Sequence, residues 1–360
     1  MSLRIAVIST PIAPLDKSTG GGVGYRLRQL IKLTPQWGHA LTVLAPRGSR
    51  GKQPRVTLVT VPGRLHVPAQ YQRGQDLAVM PPRSVLVAMF DWVRKHQERF
   101  DVVLSFAYDW YAFAIAPSLR VPVVWYVSMC SMRDAFATLV AATARQYPQR
   151  VAFASGAQAA TYGLAPEETT VLHGGLDLAQ YQWRQTPQQV LGWAGRVSPE
   201  KGLETAFAVA QRTRLPLRVI GSIEDRAYWD RVRAQFPAVS CQHLGFLSTD
   251  ALQLQLGSCL ALVHLPTWQE AFGMVLLEAL ACGVPVVTWN QGGPTEIVRH
   301  GVSGYLVEPG NLALAAEAVA NVRRIDRRTC RQTVVEKFNQ EHYAQRLFAW
   351  LTNAANSSQK

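Results

Sequence analysis

The chain has 360 residues, a length that exceeds one typical domain and predicts two of ordinary size. The composition, with 48% hydrophobic and 17% charged residues, predicts a hydrophobic core of ordinary size in each of the two domains. No apolar run reaches the roughly 18 residues of a membrane-spanning helix, and the chain starts directly in a strand, so we expect neither a membrane span nor a signal peptide. Five isolated cysteines without a C-x-x-C pair are typical of a reduced, cytoplasmic protein without a structural metal.

The net charge of +13 resides almost entirely in the first half of the chain. Residues 1–165 carry 19 Lys and Arg against 7 Asp and Glu, whereas residues 166–360 carry 18 against 17. Positive potential attracts anions, so the first half is predicted to meet an anionic acceptor or an anionic membrane surface. Solubilising surface charge is the alternative. Nucleic acid is not expected as a partner, because the arginines are scattered and no nucleic-acid-binding motif accompanies them.

Strands and helices alternate along the first half. Predicted strands cover residues 4–9, 41–45, 56–61, 102–106 and 121–127, and predicted helices cover 25–37 and 84–97. A glycine-rich loop is predicted at residues 20–24. The least regular part, residues 47–83, is rich in Gly, Pro and Arg and is interpreted as an acceptor-side loop.

The second half repeats this scheme. Predicted strands cover residues 190–194, 217–220, 259–265 and 284–288, and predicted helices cover 203–212, 228–236 and 340–352. Alternation of strand and helix predicts an α/β protein with two doubly wound, parallel-sheet, Rossmann-like domains facing a cleft. We place the domains at residues 1–165 and 188–338, followed by a terminal helix and tail at 339–360.

The most informative stretch is the segment 270–287. Glu270 lies on a loop before a short apolar helix that Gly283 and Pro285 end, and Glu278 lies two turns along that helix. Backbone N–H groups at the helix start bind anions, and carboxylates accept hydrogen bonds from hydroxyls. This combination is suited to a phosphorylated sugar. The alternative is a solvated Glu pair beside an ordinary core helix.

Two further segments point to a phosphate site. Arg196 and Lys201 follow the first strand of the second half, at the sheet edge where ligands bind, and two cations there suit a diphosphate. The glycines of residues 20–24 allow backbone N–H groups to approach a phosphate closely. The G-x-G-x-x-G spacing of dinucleotide-binding proteins is absent, and a plain flexible turn is the alternative.

Aromatic and polar residues end two strands of the first half. Tyr108, Asp109 and Trp110 follow one strand and are interpreted as a clamp for a ring-shaped acceptor, with core packing as the equal alternative. Ser128 follows the next strand. His173 lies at the predicted hinge, where a lone histidine is more often a hydrogen-bonding loop residue, so it is assigned no chemistry.

These motifs resemble a known family. A glycine-rich loop, G-R-x-x-x-E-K-G at residues 195–202, E-A-F-G-x-x-x-x-E at 270–278 and A-x-G-x-P-V at 281–286 occur in the order found in family 4 of the retaining GT-B glycosyltransferases. The resemblance covers nearly the whole chain. It implies a GT-B fold, a nucleotide-sugar donor and a last helix that crosses back to the first domain.

The resemblance also implies roles for individual residues. Glu278 is expected to hold the ribose hydroxyls, and the segment 244–247, through Phe246 and Leu247, to receive the base. Glu270 is expected to bind the sugar hydroxyls together with a run of backbone groups: those of Phe272, Gly273 and Met274. No cofactor and no metal are expected.

Cations replace the metal in the implied mechanism. Arg196 and Lys201 are expected to neutralise the departing diphosphate, with the backbone of Gly21 and Gly22 near it from the first domain. Retention without a suitable nucleophile then implies front-face attack, in which the leaving phosphate oxygen takes the acceptor's proton. Many members place a histidine near the donor sugar where this chain has Ser128, which cannot carry a proton at neutral pH.

Within the family, the chain is most similar to the cyanobacterial UDP-glucose:tetrahydrobiopterin glucosyltransferases. The similarity is carried by residues 9–15, by 106–110 and by the Ser128-Met129 pair, and it implies UDP-glucose as donor and a flat pterin as acceptor. A lipid or polysaccharide acceptor at a membrane surface is the alternative. Two other classes share the predicted fold, namely a nucleotide-sugar epimerase and a non-catalytic nucleotide-sugar-binding protein.

Overall fold

The computed structural model describes residues 2–15, 21–51, 53–68, 80–132 and 135–357. The chain divides into two compact units. Unit 1 comprises Met1–Leu172 and Ala344–Lys360, and unit 2 comprises His173–Tyr343. Unit 1 thus extends past residue 165, where the sequence placed the end of the first domain, and it includes most of the last helix.

Unit 1 is built on a parallel sheet, with seven strands in the described residues. These are β1 (Arg4–Ile8), β2 (Ala40–Pro46), β3 (Val56–Val61), β4 (Val102–Ser105), β5 (Val123–Val127), β6 (Val151–Phe153) and β7 (Thr170–Val171). Their spatial order is β3-β2-β1-β4-β5-β6-β7, and Ile8 of β1 lies opposite Leu44 of β2 and Ser105 of β4. The connections therefore reverse direction between β1 and β4, as in Rossmann folds.

The helices of unit 1 pack their apolar faces on this sheet. They are α1 (Gly21–Gln36), α2 (Val85–Lys95), α3 (Trp110–Ala114), α4 (Ala135–Gln146) and α5 (Gly156–Ala160). α2 shows why such a segment is helical: Ser84 caps its first N–H groups, and Arg94 and Lys95 lie in its last turn. Its apolar residues recur at helical spacing, and Met89, Phe90 and Val93 are buried.

Unit 2 repeats the plan with six strands. They are β8 (Leu191–Ala194), β9 (Leu217–Ile220), β10 (Cys241–His243), β11 (Ala261–His264), β12 (Val286–Trp289) and β13 (Gly304–Val307), in the order β10-β9-β8-β11-β12-β13. The helices are α6 (Leu203–Thr213), α7 (Arg226–Gln235), α8 (Thr249–Gly257), α9 (Met274–Ala281), α10 (Pro294–Ile297), α11 (Leu312–Asn321) and α12 (Arg327–Lys337), and the last helix of the chain is α13 (Gln340–Asn356). All strand pairs are parallel, and the order reverses between β8 and β11.

No helix in the described ranges is both long enough and apolar enough to cross a membrane. α13 begins in unit 2 and ends in unit 1.

Candidate functional site

The carboxyl edge of the sheet in unit 2, between β8 and β11, is where an open parallel sheet of this order binds ligands. β8 leads into residues 195–202, and β11 leads into residues 265–273. The two segments are bonded to each other, because the Thr267 N–H donates to Glu200 O (3.2 Å) and Thr267 Oγ1 donates to Pro199 O (3.0 Å). The fold thus brings together the two motifs that the sequence predicted to carry the chemistry.

The strand ends at this edge approach each other closely at Gly221. A Cβ atom there would lie 1.8 Å from the carbonyl oxygen of Gly195, and the residue has a φ of +141°, which favours glycine. Its N–H donates to Gly245 O at 2.8 Å. The ends of β8, β9 and β10 therefore converge, and they bring the segment 244–247 to the same edge.

Arg196 lies between two carboxylates. Its Nη1 donates to Glu224 Oε2 at 2.7 Å, and its Nη2 donates to Glu200 Oε1 at 3.0 Å. Ser198 Oγ donates to the same Glu200 oxygen at 2.8 Å. The Arg196 side chain is 26% exposed, so an anion arriving at the edge can still reach a cation that these bonds hold in place.

Lys201 and Glu270 form the central ion pair of the edge. Lys201 Nζ donates to Glu270 Oε2 at 2.7 Å, and the two side chains are only 15% and 14% exposed. The ammonium also lies over the ring of Trp268, 4.6 Å from its centroid, an attractive cation–π geometry. The structure therefore joins the two residues that the sequence placed in separate motifs.

The ionisation of Glu270 is set by its neighbours. Burial by itself raises the pKa of this carboxyl, but the positive charge of Lys201, assisted by His264, outweighs burial and holds the pKa well below its usual range. His264 Nε2 lies 3.5 Å from Glu270 Oε2, a contact too poorly aligned to count as a hydrogen bond. Glu270 is consequently a carboxylate at neutral pH.

The two oxygens of Glu270 are not equivalent. Both Lys201 and His264 approach Oε2, and no residue in the described ranges donates a hydrogen bond to Oε1. Gly273 is the N-cap of α9; it has a φ of +100° and provides no side-chain cap. One carboxylate oxygen and a helix N-terminus without a side-chain cap are thus the groups this segment offers to hydroxyls and anions.

Glu278 lies further along α9 and is partly exposed. Tyr181 OH donates to its Oε1 at 3.1 Å. Arg331 Nη1 donates both to Tyr181 O at 2.8 Å and to Ala281 O, the last residue of α9, at 2.6 Å. Tyr181 and Arg331 therefore position Glu278, and neither was singled out from the sequence because each lies far from it along the chain.

Phe246 and Leu247 follow β10, where the sequence placed the segment for a nucleotide base. Phe246 is 49% exposed, which is unusual for so large an apolar side chain, and Leu247 is half-buried. An exposed ring beside a converging set of strand ends offers a surface on which a planar group can stack.

Gly21 and Gly22 form the first turn of α1, so the prediction of a glycine-rich loop at this point is wrong for these two residues. The helix begins at Gly21, earlier than the predicted start at residue 25, because helix packing overrides the weak helix propensity of glycine. A Cβ atom on Gly22 would meet nothing within 4 Å. Gly20 lies outside the described residues.

Asp109 is engaged in structural bonds within unit 1. Its carboxylate caps α3 by accepting from the Tyr111 N–H at 2.9 Å, and it accepts from His66 Nδ1 at 2.9 Å. His66 Nε2 lies 2.7 Å from Ser84 Oγ, the N-cap of α2. A chain of hydrogen bonds from Asp109 through His66 to Ser84 therefore connects the starts of two helices.

The remaining acceptor-side residues have mixed surroundings. Tyr108 OH lies 3.0 Å from Tyr162 OH, and its ring packs edge-on against Phe136. Trp110 is partly exposed, but its Nε1 is buried and has no hydrogen-bond partner in the described part of the chain. Ser128 is half-buried after β5, where Gln158 Nε2 bonds the carbonyls on both sides of it, Val127 O at 3.0 Å and Met129 O at 2.7 Å.

His173, to which the sequence assigned no chemistry, contacts the segment that carries Glu270. Its Nε2 donates to Glu296 Oε2 at 2.7 Å, and its ring stacks on Phe272 with centroids 5.6 Å apart. The partner Glu296 lies 123 residues along the chain, so no local pattern could indicate the pair.

Comparison with known proteins places this geometry in context. Residues 180–354 match the model of the family "Glycosyl transferases group 1". The chain is 33% identical over 181 residues to the glycogen synthase of Mycobacterium tuberculosis, covering 45% of this chain and 41% of that protein. It thus spans less than half the length of this curated relative.

Two solved structures resemble nearly the whole chain. Sucrose-phosphate synthase from Thermosynechococcus elongatus superimposes with a TM-score of 0.82 at 17% identity, covering 99% of this chain and 100% of that one. HepE from Anabaena, solved in complex with UDP-glucose, gives a TM-score of 0.73 at 19% identity, covering 98% and 100%.

At these identities the likeness concerns the fold. It confirms the predicted GT-B class with two parallel-sheet α/β domains. Residues 180–354, the part of the chain that matches the model of the group 1 glycosyl transferases, contain the Lys201–Glu270 pair and Glu278.

Proposed function

We propose that the chain is a retaining glycosyltransferase that moves a sugar from a nucleotide sugar to an acceptor. The observation that carries the proposal is the Lys201–Glu270 pair at the carboxyl edge of the second sheet, with Glu270 Oε1 left for a substrate hydroxyl. A diphosphate needs cations and a sugar needs acceptors for its hydroxyls, and this edge supplies both.

The donor is placed by matching its parts to these groups. Glu278, positioned by Tyr181, accepts from the ribose hydroxyls, and the exposed ring of Phe246 stacks on the base. Lys201 and Arg196 bind the diphosphate and stabilise the charge that builds up on it as the sugar departs. Because these two cations perform the task, the proposed reaction uses no metal.

The state of Glu270 favours front-face transfer over a covalent intermediate. A carboxylate whose pKa lies well below its usual range is a weak base and a weak nucleophile. Glu270 therefore holds the sugar hydroxyls, while the acceptor oxygen attacks on the side from which the phosphate leaves. The departing phosphate oxygen takes the acceptor's proton, so the bond to the acceptor forms with retention and the nucleoside diphosphate is released.

UDP-glucose is the donor we propose to test first. HepE, whose fold this chain shares, has been solved with UDP-glucose, and a relative is named a glycogen synthase. A second relative, 30% identical over 146 residues, is a GDP-mannose-dependent α-mannosyltransferase from Mycolicibacterium smegmatis, so guanosine donors belong in the same test.

For the acceptor we propose a pterin such as tetrahydrobiopterin. The aromatic residues Tyr108 and Trp110 after β4 support it, because a flat ring can stack there and the buried Trp110 Nε1 lacks a partner in the described residues. The second candidate is an anionic lipid or a polysaccharide at a membrane surface. Residues 17–75 contain no acidic residue, and Leu65 and Val67 are 44% and 58% exposed in that region.

The experiment is a panel of UDP-, GDP- and ADP-sugars, each with and without tetrahydrobiopterin and without added metal. Thermal stabilisation by UDP-glucose, with UDP release that rises when the pterin is added, supports the whole proposal. If UDP-glucose stabilises the protein but the pterin does not raise UDP release, the pterin is excluded as acceptor. Binding of the protein to anionic vesicles that is weaker in an Arg47→Ser/Arg50→Ser variant then supports the lipid acceptor. Conversion of the donor without transfer indicates an epimerase, and binding without turnover indicates a non-catalytic protein.

A further inference from the structure

The loop that carries Glu270 is part of a ring of contacts that runs through Glu270, Gly293, Glu296, His173 and Phe272. Gly293 N–H donates to Glu270 O at 2.9 Å, and Glu296 lies one turn later in α10. Glu296 accepts from His173 at 2.7 Å, and the His173 ring lies nearly parallel to Phe272, with 15° between the planes. The ring of contacts therefore begins at Glu270 and ends at Phe272, two residues further along the same loop.

Glycines make the approach on the α10 side possible. A Cβ atom on Gly293 would lie 2.4 Å from both Ala271 O and the Cα of Phe272, and one on Gly292 would lie 2.6 Å from Glu270 O. The backbone of residues 270–272 is thus in direct contact with the start of α10. A shift of either segment by a few tenths of an ångström must be transmitted to the other.

His173 itself rests on a fixed support. Leu176 N–H donates to Phe338 O, and Gln340 N–H donates to Leu176 O, both at 2.8 Å. The Phe338 ring contacts both His173 and Phe272 edge-on, at centroid distances of 5.7 and 5.9 Å. Phe272 and Phe338 are 3% and 1% exposed, so the rings are locked in place by packing.

We propose that His173 and Glu296 are positioning residues. They hold Phe272 and the adjacent backbone in the position that allows Glu270 and the start of α9 to bind the donor sugar correctly. The inference rests on the proposed function. Neither residue needs to touch substrate, because displacement of a reacting group by about 1 Å from a distant change can cost about 100-fold in rate.

The test compares His173→Ala and Glu296→Gln with the wild type and with His300→Ala. His300 is the control: its ring nitrogen accepts from Leu306 N–H at 3.3 Å and its ring packs on Tyr305, so His300→Ala also removes a hydrogen bond and an aromatic contact, but away from the ring of contacts. Donor hydrolysis, nucleotide affinity and hydrogen exchange of the amides of residues 271–274 are measured in each protein.

We expect His173→Ala to lower kcat about tenfold and to speed amide exchange at residues 271–274, with nucleotide affinity within about twofold of the wild type. Glu296→Gln should retain most activity, because its amide oxygen still accepts from His173. His173→Ala that matches His300→Ala in kcat and exchange overturns the inference, as does equal loss of kcat and nucleotide affinity.

The failure of the proposed function would look different. If the wild-type protein turns over no nucleotide sugar, the glycosyltransferase assignment is wrong. In that event the exchange comparison, made without substrate, still decides the inference: faster exchange in His173→Ala alone supports the ring of contacts, and equal exchange in both histidine variants overturns it.

Discussion

The two units use the same strand order, yet their candidate residues are held very differently. In unit 2, the groups after β8 and β11 form an ion pair in which one carboxylate oxygen receives no hydrogen bond from the residues that the structure describes. In unit 1, Asp109 after β4 is used for helix capping and for the bond to His66. An identical position in a Rossmann-like sheet therefore does not make an acidic residue a ligand group, and its existing bonds decide which role is open to it.

The largest effect should come from Glu270→Gln. The amide keeps the size of the side chain but removes the charge that pairs with Lys201, so we expect kcat for donor turnover to fall roughly 10²- to 10³-fold. Steady-state kinetics on the donor found in the panel measures it. Glu317→Gln, on the exposed part of α11, should leave kcat unchanged. Equal activity in both variants would contradict a role of Glu270 in the reaction, and the proposed difference between the two units with it.

The second prediction concerns pH and sharpens the role of the ion pair. The folded-state pKa of Glu270 lies below the unfolded value of about 4.3, so its contribution to stability is complete above about pH 5 and is lost as the pH falls towards the folded-state value. The free energy of unfolding of Glu270→Gln should be about 3 kcal/mol lower than that of the wild type at pH 7. Urea unfolding should show that the difference in free energy of unfolding between the wild type and Glu270→Gln becomes smaller below about pH 4.3. A difference that does not change with pH would contradict the ion pair.

The third prediction tests whether Asp109 is structural. Asp109→Ala removes the cap of α3 and the partner of His66, so we expect a loss of about 1.5 kcal/mol in the free energy of unfolding. Asp109→Asn can still cap the helix and should lose less. Denaturant unfolding and donor hydrolysis are compared in both. If Asp109→Asn is fully stable but fails in transfer to the acceptor, then Asp109 is an acceptor ligand after all.

The smallest effect is expected at Glu278. Glu278→Ala should raise the donor KM about tenfold with little change in kcat, because ribose contacts are the same in the ground state and the transition state. Tyr181→Phe, which removes only the 3.1 Å bond to Glu278, should raise KM by a smaller factor in the same direction. A fall in kcat without a change in KM would place Glu278 at the reacting sugar instead.

Much of the fold followed from local pattern. Strands β3 and β9 have the bounds that the sequence predicted, and α6 differs by one residue. β6 and β7 have three and two residues, and α10 has four, about one helical turn; these segments were missed because they are too short to show the periodicity of their element. The glycines at the start of α1 were misread because their low helix propensity was overridden by the fold.

The sequence by itself determined the alternation of strands and helices, the two-domain plan and the segments that carry Arg196, Lys201, Glu270 and Glu278. These are properties of neighbouring residues, so period and motif spacing reveal them. Only the tertiary structure decided the partners: Lys201 with Glu270, His66 with Asp109 and His173 with Glu296 are 69, 43 and 123 residues apart. Lys201 and Glu270 meet because the adjacent parallel strands β8 and β11 deliver their loops to one edge of the sheet, and the distance along the chain does not indicate that adjacency.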